Sequence, residues 1–375
     1  MPRNYLWSAG VAALLISQPA FAAEGSAVDE VIVTGTRAAD GVAADKVGSS
    51  VTVITAQDMK DRQVRLVSDV LRDVPGFAVS RLGGVGSQTQ VRVRGAEANH
   101  VLTLIDGIEA ADPFFGEFDF GSLLGDEVAR IEILRGAQSA LYGSDAIAGV
   151  INYITPTAKE APGGSLRVEF GSQGALGGAG RFALAKGPLD LVVNGVVETT
   201  DGYITQTLPG GVRKTGAELQ NVSAKAGYQL TENLKLRGVL RYTDVHAETN
   251  NSSFSGLGVI DSPGTYSDSK TLDYFAGADL KLLDGAWTHS LSFQGVDAER
   301  KSYDARERSG GNDGLRKKAS YVTTYRLEMG ELTHLLTGAV DWEKETFQNT
   351  SPPSAGADTT RRSIENTGLV AQYDL

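Results

Sequence analysis

The 375-residue chain has no cysteine, which excludes disulfides, a thiol nucleophile and thiolate-held metals or clusters. Basic charge is in deficit: 35 Lys and Arg face 46 Asp and Glu, a net charge of −11, which weighs against a nucleic-acid partner. Zinc-protease (HExxH), hydrolase (GxSxG) and phosphate-loop motifs are missing. Gly83-Gly84-Val85-Gly86 lacks the trailing glycine of a dinucleotide fingerprint. The four histidines (His100, His246, His289, His334) are scattered and read as structural, so neither an enzyme, a metal nor a cofactor is expected. Long apolar runs are also missing after residue 16, so no later stretch can form a membrane-spanning helix of about 20 residues. With 41% hydrophobic and 22% charged residues, the composition is neither disordered nor helical-membrane.

What is present begins with a targeting signal. Arg3 precedes an apolar run from Tyr5 to Ile16, followed by a polar break and Ala20-Phe21-Ala22, the layout of a secretory signal peptide over residues 1–22. Residues 23–45 are small and polar apart from Val31, Ile32 and Val33, and read as an extended segment.

Residues 46–156 carry the mixed pattern of a compact α+β module. Val51, Val53 and Ile54 predict a strand, and Thr55 to Asp58 a helix cap. Val64, Val67, Val70, Leu71 and Val74 follow at mostly helical spacing until Pro75-Gly76. Val91 and Val93, Val101 to Ile105, Ile131 to Leu134 and Val150 to Ile154 read as further strands, with a turn at Asp106-Gly107.

From residue 157 the period becomes two. Ten alternating segments can be laid out: 165–172, 178–187, 189–199, 217–230, 233–247, 269–282, 286–302, 317–329, 331–347 and 361–375. Leu234, Leu236, Leu240 and Tyr242 alternate with Lys235, Arg237, Arg241 and Thr243, one greasy face against one wet face. Most are longer than soluble strands of about 5–6 residues and suit tilted membrane strands of about 9–11. Short connections (Gly187-Pro188, Thr231-Glu232, 283–285, Gly330) interleave with long polar ones (200–216, 248–268, 303–316, 348–360), the pattern of an outer-membrane barrel.

Against this background, Asp29-Glu30-Val31-Ile32-Val33-Thr34-Gly35-Thr36-Arg37 resembles the TonB box of TonB-dependent outer-membrane receptors. Three stretches behind it resemble the plug domain of that family: 68–76 (SDVLRDVPG), 91–95 (VRVRG) and 100–107 (HVLTLIDG). The run 131–155, IEILRGAQSALYGSDAIAGVINYIT, is similar to the plug C-terminus almost continuously, and the plug looks most like that of cobalamin transporters. The resemblance implies an α+β plug domain followed by an all-β antiparallel transmembrane barrel in the bacterial outer membrane, in contact with its lipid. It further implies uptake of a scarce large extracellular ligand, cobalamin or a ferric siderophore, energised by TonB and its inner-membrane complex.

Roles for particular residues follow. The β-branched run 31–34 suits strand addition, in which main-chain hydrogen bonds supply the affinity. The family implies that Asp29, Glu30, Val31, Ile32, Val33 and Thr34 bind TonB. Gly83, Gly84, Val85, Gly86 and Ser87, with Asp112, Phe114, Phe115, Glu117 and Phe118, fall where the family has substrate-facing apical plug loops. Arg92, Arg94, Arg130 and Arg135, with Glu132, are expected to bridge plug to wall, whose lumen face must be polar.

Two departures stand out. The loop 200–216 carries little acid beyond Asp201, unlike the calcium-binding loops of cobalamin-type receptors. A family barrel has about 22 strands, whereas the sequence after residue 156 holds about ten and lacks an aromatic terminus, so the expectation is an N-terminal portion with an incomplete barrel. Alternatives from other classes are a truncated product that only occupies TonB, and an exported β-sandwich enzyme.

Overall fold

The computed structural model describes residues 32–33, 42–43, 49–208, 211–252, 259–260, 262–330, 332–353 and 356–375. The expected signal peptide lies outside the described residues.

Two minimal strands come first, β1 (Ile32–Val33) and β2 (Val42–Ala43). The plug is built from β3 (Ser50–Thr55), α1 (Ala56–Asp61), α2 (Val67–Leu71), β4 (Phe77–Arg81), β5 (Thr89–Val93), β6 (Val101–Ile105), β7 (Ile108–Glu109), β8 (Arg130–Arg135), α3 (Ser139–Tyr142) and β9 (Gly149–Ile154). Its main sheet has the order β3-β8-β9-β6-β7, with β6 and β9 parallel, and β4 and β5 form a separate ribbon. The expected cap of α1 forms: the Asp58 N–H donates to Thr55 Oγ1 and the Thr55 N–H donates back to Asp58. One expectation is corrected. The apolar spacing from Val64 to Val74 makes only the five-residue α2, separated from α1 by a turn in which Gln63 has φ +50°. Ile131, Ile133, Ile151 and Tyr153 from the sheet meet Val67, Val70 and Leu71 of α2 in the plug core. The Tyr153 hydroxyl, wholly buried, donates to the Leu124 carbonyl at 3.0 Å, so the core holds no orphaned phenol there. At Asp106-Gly107 both residues have positive φ (+51° and +85°), the conformation of a tight hairpin turn, which joins β6 to β7.

The wall is a single ten-stranded antiparallel meander. Its strands are β10 (Gly163–Phe170), β11 (Leu176–Lys186), β12 (Leu189–Leu208), β13 (Gly211–Gln229), β14 (Leu234–Glu248), β17 (Tyr266–Leu282), β18 (Trp287–Asp304), β19 (Glu307–Met329), β20 (Leu332–Asn349) and β21 (Arg362–Asp374). A small ribbon of β15 (Asn251–Ser252) and β16 (Val259–Ile260) sits in the connection after β14. Every alternating segment of the sequence is a strand. Two of the expected long loops are not loops: β12 and β13 close at 208–211, and β18 and β19 at the two-residue turn Ala305-Arg306. Stretches such as 307–314 (ERSGGNDG) lack alternation because the strand continues past the zone where lipid demands an apolar side chain on one face.

Register confirms the two faces. Leu240 pairs with Ala224 and Tyr274, Leu291 with Tyr321, and Leu336 with Tyr325 and Tyr373, all on the outer face. Trp287, Tyr325 and Tyr373 fall at the short-turn end, where an aromatic belt would meet the membrane interface. Arg241, Asn194, Ser223 and Arg316 occupy the inner face and are buried under the plug. Leu240→Arg on the outer face should lower stability in lipid by about 2–4 kcal/mol, whereas a polar swap at inward-facing Thr243 should not; denaturant unfolding in bilayers measures both.

Candidate functional site

Function in this architecture sits where the plug meets something else: the N-terminal segment, the apical loops, and the plug–wall interface. Of the segment 29–34, the backbones of Ile32 and Val33 pair antiparallel with Ala43 and Val42. Asp29, Glu30, Val31 and Thr34 lie outside the described residues.

The apical loops divide between wall and solvent. Gly83 to Ser87 connect β4 to β5 and lean on the wall. Gly86 has φ +77°, and a Cβ there would lie 3.2 Å from that of Ala247 and 3.3 Å from that of Ala217. Val85 packs on a cluster containing Ala217, Val245 and Ala247, and the Ser87 hydroxyl donates to the Gly84 carbonyl. In the second loop, Asp112 accepts from the Phe114 N–H and from Asn312 on β19. Phe114 meets Phe347 of β20 edge to face at 6.4 Å. Glu117 accepts from Gln88 and Gln90, and Phe118 stacks edge-on against Phe120 in the plug core. Phe115 alone of these phenylalanines is largely exposed.

The arginines expected to bridge plug and wall are a correction. Arg92 reaches Gln90 and Glu97; Arg130 reaches Glu132 and Glu160; Arg135 reaches the Pro75 carbonyl and Thr52. Glu132 is buried within the plug sheet. Arg94, with φ +53°, lies beside Gly76 and Gly136. These guanidiniums brace the plug and the segment leading out of it, because their strands pack edge to edge inside the plug.

The bridges that form have the opposite polarity: plug carboxylates meet wall cations. Glu127 pairs with Arg241 at 2.6 Å, both almost fully buried, and Asp273 sits beside Arg241 in register. Asp106 pairs with Lys225 at 2.7 Å, and the same ammonium donates to the Thr155 carbonyl. Arg316 donates to the carbonyls of Glu109 and Ala111 and pairs with Glu345 at 2.5 Å. Lys318 bridges Glu109 (2.9 Å) to Glu343 (3.1 Å). Asp126 with Arg167 adds another such bridge, while Arg65 of the plug with Glu198 of β12 is a bridge of the reverse polarity. One signal for these was legible: Lys225 and Arg241 stand on the wet face in mid-strand, where a cation demands a counter-charge.

Electrostatically the plug acids differ. Burial works against ionising Glu109, but Arg316 and Lys318 outweigh it and hold the carboxyl at about 2. Burial raises Glu127 despite Arg241, and raises Asp112 and Asp119 against the backbone N–H groups they accept from. This set fixes a stopper in a polar tube; it holds no nucleophile–base pair, and no metal-ligand cluster occurs among the described residues.

A domain seated on the wet face of a lipid-facing antiparallel wall defines the class of plugged outer-membrane β-barrel proteins. Residues 43–150 match the family described as TonB-dependent Receptor Plug Domain. Residues 43–150 thus match a TonB-dependent receptor plug, joined here to a ten-stranded wall, and the chain is cobalamin-transporter-like in sequence. It is 27% identical to the vitamin B12 transporter BtuB of Photobacterium profundum, over 98% of this chain and 58% of that protein. To BtuB of Vibrio vulnificus it is 30% identical, over 92% and 55%. The chain therefore spans a little over half the length of these relatives, which are transporters rather than enzymes. Among solved structures, the alcaligin outer-membrane receptor FauA of Bordetella pertussis shares the fold at TM-score 0.68 and 15% identity, covering 91% of this chain and 55% of that one. The ferric-catecholate import receptor Fiu of E. coli K12 follows at TM-score 0.66 and 17% identity, covering 82% and 48%.

Removing Arg316, which is 2% exposed, strands Glu345 and two plug carbonyls and leaves Glu109 to Lys318 alone. Arg316→Leu should destabilise the docked plug by about 3–5 kcal/mol, read by unfolding in detergent. Because the Glu109 pKa is depressed on docking, its contribution is full above the ordinary carboxyl range near 4.5 and lost as pH falls toward about 2. Glu109→Gln should flatten that acid limb of the stability profile; an unchanged limb would place the acid sensitivity elsewhere.

Proposed function

We propose that this protein takes up a scarce, large ligand through the bacterial outer membrane, cobalamin before a ferric siderophore, with TonB and its inner-membrane complex supplying the work. The observation that carries this reading is the obstruction. The plug is tied to the wall by several buried ion pairs, so passage requires force rather than thermal opening. Similarity to vitamin B12 transporters along nearly the whole chain supports cobalamin as the ligand.

In this reading residues 1–22 direct export, 23–45 carry the TonB-binding strand, 46–156 are the plug and 157–375 belong to the barrel. The run from Asp29 to Thr34 offers its backbone to a TonB strand. The pairing of Ile32 and Val33 with Val42 and Ala43 then has to be exchanged for one with TonB. Arg92, Arg94, Arg130, Glu132 and Arg135 keep the pulled domain intact. On the outer side the two apical loops receive the ligand, and Phe115 offers the freest ring.

Binding assays with cobalamin and with ferric siderophores on the protein expressed from its own gene separate the two ligands; binding of neither overturns the ligand assignment. Phe115→Ala should weaken ligand binding roughly three- to tenfold. Val33→Pro removes a backbone donor from the pairing strand. Uptake should fall at least tenfold while ligand binding persists; unchanged uptake would sink the TonB-strand assignment.

A further inference from the structure

Two cavities lie between plug and wall, the outer one along β14, β17 and β18 and the inner one along β12, β13 and β14 with Phe275 of β17. The outer one, about 90 Å³, is on the long-loop side, between Ala110 and Leu123 of the plug and Thr271, Asp273 and Val296 of the wall. The other opens at the short-turn end and is about 880 Å³, large enough for a cofactor-sized molecule. Asp106, Gly107 and Ile154 of the plug face Arg237, Val239 and Phe275 of the wall across it. Ile108 of the plug belongs to a cluster that touches both. Ile108 is 1% exposed and packs on Val296 and Ala298, which line the outer cavity, and on Val239 and Phe275, which line the inner one.

Ile108 sits on the shortest strand of the plug sheet, one that is tied to the wall through Glu109. β7 has two residues, occupies the sheet edge and pairs only with β6. An edge strand with one neighbour can lift away without opening the core behind it. Ion pairs flank it on both sides: Lys225–Asp106 and Arg241–Glu127 toward one side, Arg316 and Lys318 with Glu109 on the other.

We propose that β7, with the Asp106-Gly107 turn, is the gate of a preformed route along β14 and β17, with Ile108 as its stopper. Withdrawing β7 joins the two cavities into one passage, with charged groups from the wall and apolar footing from Val239 and Phe275. The passage suits an amphipathic solute. The proposal rests on the uptake reading for what travels, but the gate itself is testable without ligand or TonB.

The test is basal leak. Ile108→Ala and Ile108→Gly, in outer membranes, should raise influx of a membrane-impermeant hydrophilic dye several-fold in the absence of TonB and ligand. Ile54→Ala, an equal truncation in the plug core away from the gate, controls for general loosening. Because the chain has no cysteine, Ile108→Cys supplies a single thiol. It should react with a bulky thiol reagent only when TonB is energised and ligand is present. Leak confined to the Ile108 variants supports the gate. Equal leak from Ile54→Ala, no leak from either Ile108 variant, or an Ile108→Cys thiol that reacts equally at rest, overturns it. Lost uptake with the leak retained counts against the uptake reading alone.

Discussion

The wall must be apolar where it meets lipid and polar where it faces its own lumen, and this constraint organises the rest. Period-two alternation puts Leu240, Leu291 and Leu336 outside and Arg241, Asn194 and Arg316 inside. Cations held on the inner face of a membrane wall need water or a partner, and the plug excludes the water. The plug therefore has to bring carboxylates to them. Glu109, Glu127 and Asp106 do so, each at a different strand of the wall.

Such a joint is selective in what it resists. Buried ion pairs lose little to thermal fluctuation, because separating them leaves a charge without solvent. Apolar contacts cross the joint as well, Leu66 and Leu124 meeting Val196, Leu219 and Val245, and Ile108 meeting Val296. For the charged part of the joint, once a partner is separated and water enters, the attraction falls steeply with the rise in dielectric. That suits a stopper moved by applied force rather than by spontaneous unfolding. Plug arginines such as Arg130 and Arg135 serve a different end, bracing the plug's own segments against one another.

The ten wall strands were legible because lipid on one side and polar lumen on the other write an unbroken alternation into residues such as 234–243. Where the strands rise beyond that zone the alternation fades, and the upper parts of β12, β13, β18 and β19 read as loops. In the plug, the strands and the cap at Thr55 were legible from local chemistry, whereas α2 came out shorter than its spacing suggested. Leu66 is held extended by a bridge to Leu124, so the helix begins only at Val67, and no short-range pattern announces that contact.

By itself the sequence determined the division into a mixed domain and an alternating wall, the Asp106-Gly107 hairpin, and the wet face carrying Lys225 and Arg241, all consequences of local periodicity and turn chemistry. Only the tertiary structure decided which charges meet. Arg316 and Glu109 are separated by most of the wall in sequence, and strand arginines such as Arg135 are equally plausible partners until the packing is known. Pairing across the joint depends on how the plug is rotated within the wall, and that rotation is a property of the whole interface rather than of any stretch of chain.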